Sequence, residues 1–438
     1  MKTELGPNHS FHVHQHELSN GLKVLLVEHP TIPTVSLNAS VLAGARYDAE
    51  DKAGLALMVS RLLDEGTQSR TSLDIAEAIE SVGGAIETDG AFETIVVSVG
   101  VLKKDTTLGL ELLADLLMNP TFPEDFVLKE KERTLSEIAS AKDRPQVVAG
   151  WAFNELVYEG HPLHRPLHGY PETVAHLNRE DLQVFHGRYF VPNNTILSVV
   201  GDFSAAEMVT AIEGVLSGWR PKSVAFPEYK PITRQPNRRT KFDNVPAQQL
   251  HIYLGHLGVK RADPDYYALQ VLDTILGGGA GFTARIPRKL RDELGLAYTT
   301  FASITATAGT DPGRFVAYIG TSPENMKPAI EGLLGEIRHI IQAPVTSEEL
   351  QDAKDYLTGS FVFAFETSSQ IARFLIHAQI YGLGFDYFLK YPALIDCITV
   401  DDIARVAQRH LDPTNYTLVV VGPVDPAADL TEKYDPLR

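Results

Sequence analysis

Histidine and cysteine side chains are common metal ligands, so the histidine groups and the single cysteine are considered first. His12, His14 and His16 alternate along a predicted strand and therefore share a face, but they lack the residues that would orient them as ligands. Three further histidines occupy a loop without helical spacing, which indicates a structural role: His161, His164 and His168. Cys397 lies beside Leu394 and Ile395, and we expect it to be a buried small hydrophobic residue. No His/Glu set at helical spacing provides a self-sufficient hydrolytic site.

A glycine-rich segment, Leu276-Gly277-Gly278-Gly279-Ala280-Gly281, is the other feature with possible chemistry. It is not a phosphate-binding loop, because no Gly-Lys-Ser/Thr follows it. Glycine's backbone freedom instead indicates a flexible segment.

The composition limits the class of protein and the kinds of partner that are compatible with the chain. It has 438 residues, 44% of them apolar and 22% charged, which is typical of a soluble globular protein with two or three domains. The net charge of −17 argues against nucleic acid and anionic lipid as partners. One cysteine excludes internal disulfides and thiolate metal clusters. No apolar run is long enough to span a membrane, and the first residues do not resemble a secretory signal. We therefore expect a cytoplasmic protein, or a periplasmic one if a signal peptide has been removed.

The chain contains an internal repeat. Residues 188–202 (RYFVPNNTILSVVGD) and 409–423 (RHLDPTNYTLVVVGP) share seven of fifteen residues at an offset of 221. Upstream, Asn178 and Thr399 each resemble a helix N-cap with an acidic residue three positions later. Each copy therefore predicts a helix, a short turn containing proline, and a buried strand that ends in glycine. The sequence indicates a tandem duplication.

A linker separates the two copies. Residues 220–241 contain four prolines and seven basic residues against Glu228 alone. Proline at this spacing favours an extended tether, and its positive charge favours packing against acidic domains rather than nucleic-acid binding. We predict an N-terminal domain over 1–219, a linker over 220–243 and a homologous C-terminal domain over 244–438.

Secondary structure is predictable in the first half. Asn20-Gly21 indicates a hairpin between strands at 11–18 and 22–28, and further strands are expected at 35–42 and 94–101. Helices are expected at 51–65, 72–82, 108–117 and 123–142. Strands and helices in blocks predict an α+β fold of two homologous α/β-sandwich domains, each a mostly antiparallel sheet packed with helices.

Several motifs together resemble the pitrilysin/insulysin family of zinc metallopeptidases, which includes the mitochondrial processing peptidase. They cover nearly the whole chain: Asn20-Gly21-Leu22-Lys23-Val24, Gly44-Ala45-Arg46-Tyr47, Gly54-Leu55-Ala56, Glu65-Gly66-Thr67, Gly83-Gly84-Ala85, Glu130, Glu137-Ile138, Gly160-His161-Pro162, Gly277-Gly278-Gly279 and the segment from Leu290-Arg291 to Tyr298. The resemblance implies a clamshell-like arrangement of the domains. It also implies that the glycine-rich segment, including Gly281, is a substrate-contacting loop.

The resemblance also shows what is missing. Active members carry an inverted zinc motif, His-x-x-Glu-His, directly after Gly-Leu-Ala. Here that window is Leu57-Met58-Val59-Ser60-Arg61, so Leu57, Ser60 and Arg61 occupy the motif positions. The family's third ligand corresponds to Glu137, with Glu130 seven residues earlier. One carboxylate cannot hold a catalytic zinc, which needs about three protein ligands. We expect no metal in this chain and no peptide hydrolysis by it alone.

Charge suggests what replaces the metal. Arg61 stands where a zinc-binding histidine would be, and its guanidinium can neutralise the remaining carboxylates. We hypothesise an Arg61–Glu137 ion pair in place of the metal, in which the guanidinium satisfies the carboxylates of Glu137 and Glu130 bidentately; the alternative is an exposed Arg61 that contacts neither glutamate.

Arg291 and Tyr298 are retained in the second half. In the family that this chain resembles, an arginine and a tyrosine at this spacing bind a substrate carbonyl and stabilise the oxyanion of the tetrahedral intermediate. The alternative is a surface helix charge and the start of a strand. The resemblance implies a non-catalytic subunit that supplies these residues to a homologous partner with an intact motif and zinc. The other function we consider is a structural or peptide-binding homologue without a proteolytic role, which would have no reason to keep Arg291 and Tyr298.

Overall fold

The computed structural model of the chain describes residues 11–278 and 284–424. Its strands are β1 His14–Glu17, β2 Lys23–Glu28, β3 Thr34–Val41, β4 Ala85–Gly90, β5 Ile95–Leu102, β6 Thr195–Gly201, β7 Arg239–Asn244, β8 Leu250–Leu257, β9 Ala297–Ser303, β10 Arg314–Thr321 and β11 Thr417–Gly422. Its α-helices are α1 Leu55–Arg61, α2 Ser72–Glu80, α3 Thr106–Met118, α4 Glu124–Lys142, α5 Pro145–Val157, α6 Pro171–His176, α7 Arg179–Tyr189, α8 Ala205–Leu216, α9 Tyr266–Asp273, α10 Met326–Gln342, α11 Ser347–Phe361, α12 Ser368–Tyr381, α13 Tyr387–Asp396 and α14 Val400–His410.

The strands form two sheets with the same plan. The first has the order β1-β2-β6-β3-β5-β4, and the second has the order β7-β11-β8-β10-β9. In each sheet one neighbouring pair is parallel, β2 with β6 and β7 with β11, and the other pairs are antiparallel. The α+β class and the largely antiparallel sheets predicted from the sequence are confirmed. The matching strand orders show the repeat in three dimensions.

The repeated segments adopt the structure that their sequence predicts. Asn178 begins α7 and Thr399 begins α14, and each forms a capping box with the aspartate three residues later. Each helix leads to a buried strand, β6 or β11. Their terminal glycines are required by close packing, since a Cβ at Gly201 would overlap the Thr34 carbonyl oxygen and one at Gly422 that of Gln249.

Contacts divide the described residues into two compact units that do not follow chain order. The first unit contains residues 11–139, 165–228 and 362–385, and the second contains 140–164, 229–278, 284–361 and 386–424. Each half of the chain therefore contributes one helical segment to the unit built mainly from the other half. The linear boundaries at 219 and 244 remain a prediction about the homologous sequence units.

The two exchanged helices each cover one face of a sheet. Along β2, Val24 and Leu26 pack in the core that includes α1 and α3, while Leu25 and Val27 pack against α12. Because successive side chains of a strand point to opposite faces, α12 covers the face opposite α1. In the second unit, α5 packs against β8 and β11 through Ala149 and Phe153. The apolar run of β2 is thus explained by burial on both faces.

The predicted linker is partly a strand. Residues 220–238 are extended without regular structure, but Arg239–Asn244 forms β7 and pairs with β11. The basic residues of this segment contact acidic ones as expected: Arg239 Nη2 lies 2.8 Å from Glu159 Oε2, and Lys241 Nζ lies 3.3 Å from Glu155 Oε2. The linker over 220–243 remains a prediction, and its last residues belong to β7.

Two other sequence expectations concern single features. Cys397 is exposed, so the prediction of a buried cysteine is wrong. It follows the last residue of α13 and lies on the solvent side, whereas Ile395 points into the core. Within the described residues, no helix combines the length and the hydropathy that crossing a bilayer requires.

Candidate functional site

The start of α1 is fixed by a glycine and a buried aspartate. Gly54 has a φ of 99°, which favours glycine, and a Cβ there would lie 2.6 Å from the His168 carbonyl oxygen. The Asp48 carboxylate accepts hydrogen bonds from the amides of Gly54 at 2.9 Å and Ala56 at 3.0 Å. The loop that carries His168 is held against this turn, because Arg165 Nη1 donates to the Asp48 carbonyl oxygen. These contacts set the position of α1 and of the loop beside it.

Arg61, the last residue of α1, contacts two glutamates of α4. Its Nη1 lies 2.8 Å from Glu130 Oε1 and 2.9 Å from Glu137 Oε2. Glu130 and Glu137 are seven residues apart and so lie two turns apart on one face of α4. The hypothesised Arg61–Glu137 ion pair is present. It is not bidentate, because one nitrogen contacts both carboxylates.

Three more side chains complete this group, which we call the Arg61 cluster (Arg61, Glu130, Arg133, Thr134, Glu137 and His168). Arg133 Nε donates to Glu137 Oε1 at 3.0 Å, and Thr134 Oγ1 donates to Glu130 Oε1 at 3.1 Å. His168 Nε2 lies 3.5 Å from Glu137 Oε2. The sequence pattern indicates a structural role for His168 and does not indicate that Arg133 belongs to the site. The spacing of Arg133 from Glu137 by one helical turn was the available signal.

The residues at the motif positions do not fit a zinc ion. Leu57 offers no ligand, and Ser60 donates its hydroxyl to the Leu57 carbonyl oxygen at 2.8 Å. Zinc is held by imidazole, thiolate or carboxylate, and here the guanidinium of Arg61 already occupies the oxygens of both glutamates. Two arginines face two glutamates, so the cluster is balanced in charge without a metal.

One group elsewhere in the described residues has metal-ligand spacing: Asp263, Asp265 and His410 in the second unit. Asp265 accepts hydrogen bonds from Arg405 at 2.6 Å, Arg409 at 3.1 Å and His410 at 2.8 Å. Two guanidinium groups on one carboxylate repel a cation. This group is therefore an ion-pair network that joins α14 to the start of α9.

The Arg61 cluster predicts how stability depends on pH. Burial acts to raise the pKa of Glu137, but the hydrogen bond and charge of Arg61, followed by those of Arg133, outweigh it and lower this pKa below its usual value. A carboxylate whose pKa is lower in the folded protein stabilises the fold above its unfolded pKa, near 4.5, and this contribution is lost as the pH falls through the folded value.

We therefore expect the free energy of unfolding to decrease less on acidification in Glu137→Gln than in the wild type. Urea denaturation at pH 7 and at stepwise lower pH, followed by circular dichroism, measures this difference. Glu132→Gln, at an exposed position of the same helix, is the control and should retain the wild-type slope. Parallel curves for wild type and Glu137→Gln below pH 5 would show that Glu137 contributes nothing to the acid sensitivity.

Arg291 and Tyr298 lie in the second unit. Arg291 is part of a helical turn over Pro287–Glu293, and its Nε donates to Asp292 Oδ1 at 2.8 Å. The hydrogen bond to Asp292 raises the pKa of Arg291, burial opposes it, and the nearby phenol of Tyr298 adds to the rise.

The exposure of Tyr298 is not explained by packing. Its residue is 89% exposed, although it belongs to β9, at the edge of the second sheet. Ala297 pairs with Thr321 and Thr300 with Ile319, so β9 has one extra residue between them. Such a β-bulge re-aims side chains and is common beside active sites. The bulge falls at Tyr298 and Thr299.

The glycine-rich segment is described only in part. Gly277 and Gly278 end a helical turn over Thr274–Gly278, where a Cβ at Gly277 would overlap the backbone of Ala302. Close packing against β9 thus explains Gly277. Gly279 and Gly281 lie outside the described residues.

Comparison with known proteins relates both halves to one peptidase family. Residues 23–170 match the model of the insulinase family, peptidase family M16, and residues 176–357 match the model of the peptidase M16 inactive domain. An uncharacterised zinc protease of Mycobacterium leprae is 28% identical over 411 residues, which is 93% of this chain and 91% of that protein. An uncharacterised zinc protease of Bacillus subtilis is 25% identical over 414 residues, covering 94% and 98%.

Solved structures show the same fold. The crystal structure of a peptidase M16 inactive domain from Pseudomonas fluorescens superposes with a TM-score of 0.88 at 26% identity, over 94% of this chain and 98% of that one. A protease from Helicobacter pylori superposes with a TM-score of 0.86 at 21% identity, over 95% and 100%.

Proposed function

Because the chain belongs to the insulinase/pitrilysin family, peptidase family M16, we propose that it is the non-catalytic subunit of a heterodimeric zinc peptidase. In this role it supplies Arg291 and Tyr298 to the zinc site of a homologous subunit that carries His-x-x-Glu-His. Arg291 would bind a substrate carbonyl, and the Tyr298 hydroxyl would donate to the oxyanion that forms when water attacks the scissile bond.

The Arg61 cluster carries the proposal. Hydrolysis by this family depends on a zinc site, and Arg61 here holds both glutamates that remain of it. If the zinc motif had been lost without a compensating substitution, buried Glu130 would lack a positively charged partner. An unpaired buried charge lowers the free energy of unfolding. Arg61 therefore supports a stable first unit without a metal, and the proposal places the metal in the homologous subunit.

The setting of Tyr298 favours the peptidase role over a purely structural one. An exposed tyrosine on a bulged edge strand contributes little to packing in the described part of the second unit. A free sheet edge also supports peptide binding, since β4 pairs only with β5 among the described residues. An extended peptide can add to such an edge through main-chain hydrogen bonds.

Reconstitution tests the proposal. This chain is mixed in equimolar amount with a homologue from the same genome that carries His-x-x-Glu-His, and hydrolysis of a short internally quenched peptide is followed by fluorescence. We expect the mixture to hydrolyse the peptide faster than the sum of the two proteins assayed separately. A rate equal to that sum, at concentrations where size-exclusion chromatography shows a complex, would favour the structural alternative.

A further inference from the structure

Two threonine hydroxyls flank the β-bulge that carries Tyr298. Before the bulge, Thr321 Oγ1 of β10 donates to the Leu296 carbonyl oxygen at 2.6 Å. After the bulge, Thr300 Oγ1 of β9 donates to the Tyr318 carbonyl oxygen at 2.6 Å. A bulge disrupts the regular hydrogen bonds between two strands locally. The two side-chain hydrogen bonds therefore join the chain of β9 to β10 on both sides of the interruption.

The Thr321 hydroxyl lies in the interior of the second unit. Its residue is only 1% exposed and ends β10. Valine has nearly the same shape and also favours strands, so packing alone does not require a hydroxyl here. A hydroxyl does provide a donor for the Leu296 carbonyl oxygen, and a buried acceptor without a donor costs free energy. The hydrogen bond thus explains the residue type at this position.

The backbone of Leu296 also connects Thr321 to the helical turn of Arg291. The Leu296 amide donates to the Leu290 carbonyl oxygen at 2.8 Å. Leu290 is fully buried, and a Cβ at Gly332 of α10 would overlap its side chain. This close packing fixes the residue that precedes Arg291. The Leu296 backbone is therefore held through its amide by the core packing of Leu290 and through its carbonyl by Thr321.

Tyr298 depends on this backbone for its direction. The residue is 89% exposed, so side-chain packing holds it only weakly. An oxyanion donor has to be in place before the reaction, and a misplacement of about 1 Å can cost about a hundredfold in rate. Leu296 lies two residues before Tyr298, at the start of the bulge. Loosening the Leu296 carbonyl would therefore change where the Tyr298 hydroxyl points.

We propose that Thr321 is a positioning residue for Tyr298. Its hydroxyl holds the Leu296 carbonyl and so fixes the start of the bulge from which the phenol projects. This inference rests on the proposed function for the reaction that Tyr298 serves. Thr321 acts only through the backbone and takes no part in the chemistry itself.

Hydrogen exchange of the full chain tests the role of the Thr321 hydroxyl without a partner subunit. Thr321→Val removes the hydroxyl and keeps the shape, whereas Thr321→Ser keeps the hydroxyl. The matched control is Thr195→Val, because Thr195 is 3% exposed and donates to the Val191 carbonyl oxygen at 2.9 Å in the first unit. Mass spectrometry follows the peptides that span 290–303. We expect about fivefold faster exchange there in Thr321→Val, as for the loss of one hydrogen bond, and wild-type exchange in the other two variants.

Kinetics of the reconstituted peptidase test the link to Tyr298. We expect Thr321→Val to lower kcat about tenfold with little change in KM. Thr321→Ser should retain most of the wild-type kcat, and Thr195→Val should leave it unchanged. When Tyr298→Phe is already present, adding Thr321→Val should not lower kcat further, because the hydroxyl that Thr321 positions is gone. A merely structural role would lower kcat by the same factor in both backgrounds.

Two results would overturn the proposal: wild-type exchange over 290–303 in Thr321→Val, or an equal fall in kcat with and without Tyr298→Phe. The loss of one hydrogen bond should leave the chain folded, which circular dichroism verifies for each variant. The exchange experiment uses this chain alone, so its result is separate from failure of reconstitution. Faster exchange in Thr321→Val without restored hydrolysis would support Thr321 as the residue that fixes Tyr298 and contradict the peptidase role.

Discussion

Replacing Tyr298 with phenylalanine is expected to lower kcat of the reconstituted peptidase by about a hundredfold or more, the usual effect of removing one oxyanion donor. The substitution deletes only the hydroxyl. Because the oxyanion forms in the transition state and not in the bound substrate, KM should change little. Since Tyr298 is exposed, the stability of the chain should also be unchanged. Steady-state kinetics on the quenched peptide at saturating partner measures both constants.

The matched control is Tyr356→Phe, which removes a hydroxyl from an exposed tyrosine of α11 in the same unit. We expect it to retain the wild-type kcat. Unchanged turnover in Tyr298→Phe, with normal complex formation, would remove Tyr298 from the mechanism. An equal loss in both variants would point to a general effect on association.

Replacing Arg61 with leucine is expected to lower the free energy of unfolding by about 3 kcal/mol, as for breaking a buried ion pair. The side chain of Glu130 is only 8% exposed, and without Arg61 its charge would keep the Thr134 hydroxyl and the distant Arg133 guanidinium, 3.6 Å away. Glu137 would lose one of its two arginines. Urea denaturation at pH 7 measures the loss.

Arg133 provides the control, because it contacts the same glutamates from a side chain that is 63% exposed. We expect Arg133→Leu to cost less than about 1 kcal/mol, as for a surface ion pair. Adding Glu130→Gln to Arg61→Leu should recover much of the lost stability, since a neutral amide needs no cation. An equal decrease in the free energy of unfolding for Arg61→Leu and Arg133→Leu would contradict the conclusion that Arg61 is the main partner of the two glutamates.

The repeat and its local structure could be predicted because they depend on residues close in sequence. Asn178 and Thr399 cap their helices through aspartates three residues away, so the signal for each helix start is contained in one turn. The glycines that end β6 and β11 mark close backbone approaches. These features need no knowledge of the rest of the chain.

The Arg61–Glu137 pair could be inferred from charge and from the resemblance to a metal site, but its geometry could not. Whether a guanidinium pairs with one carboxylate or bridges two depends on the distance between α1 and α4. The position of α1 depends in turn on the packing of Gly54 against the His168 loop, which is distant from α1 and α4 in sequence. His168 was placed beside Glu137 by this loop, which no helical spacing in the sequence indicates.

The exchange of α5 and α12 between the two units could not be predicted from the sequence for a different reason. The apolar faces of α5 and α12 predict that each helix packs against something, but they do not indicate which sheet it covers. Strand β7 could not be predicted because Arg239–Asn244 contains only one apolar residue, Phe242. The segment before it is rich in proline and basic residues, which favours an irregular chain. The pairing of β7 with buried β11 depends on backbone hydrogen bonds, which side-chain patterns do not report.

We propose that Arg61 occupies the position of a lost metal site and that this chain does not hold the metal itself. The most direct test restores the motif with Leu57→His, Ser60→Glu and Arg61→His and measures zinc per chain by mass spectrometry after dialysis. We expect stoichiometric zinc in this triple variant, its loss when Glu137→Gln is added, and no stoichiometric zinc in the wild type. Stoichiometric zinc in the wild type, or none in a folded triple variant, would contradict this proposal.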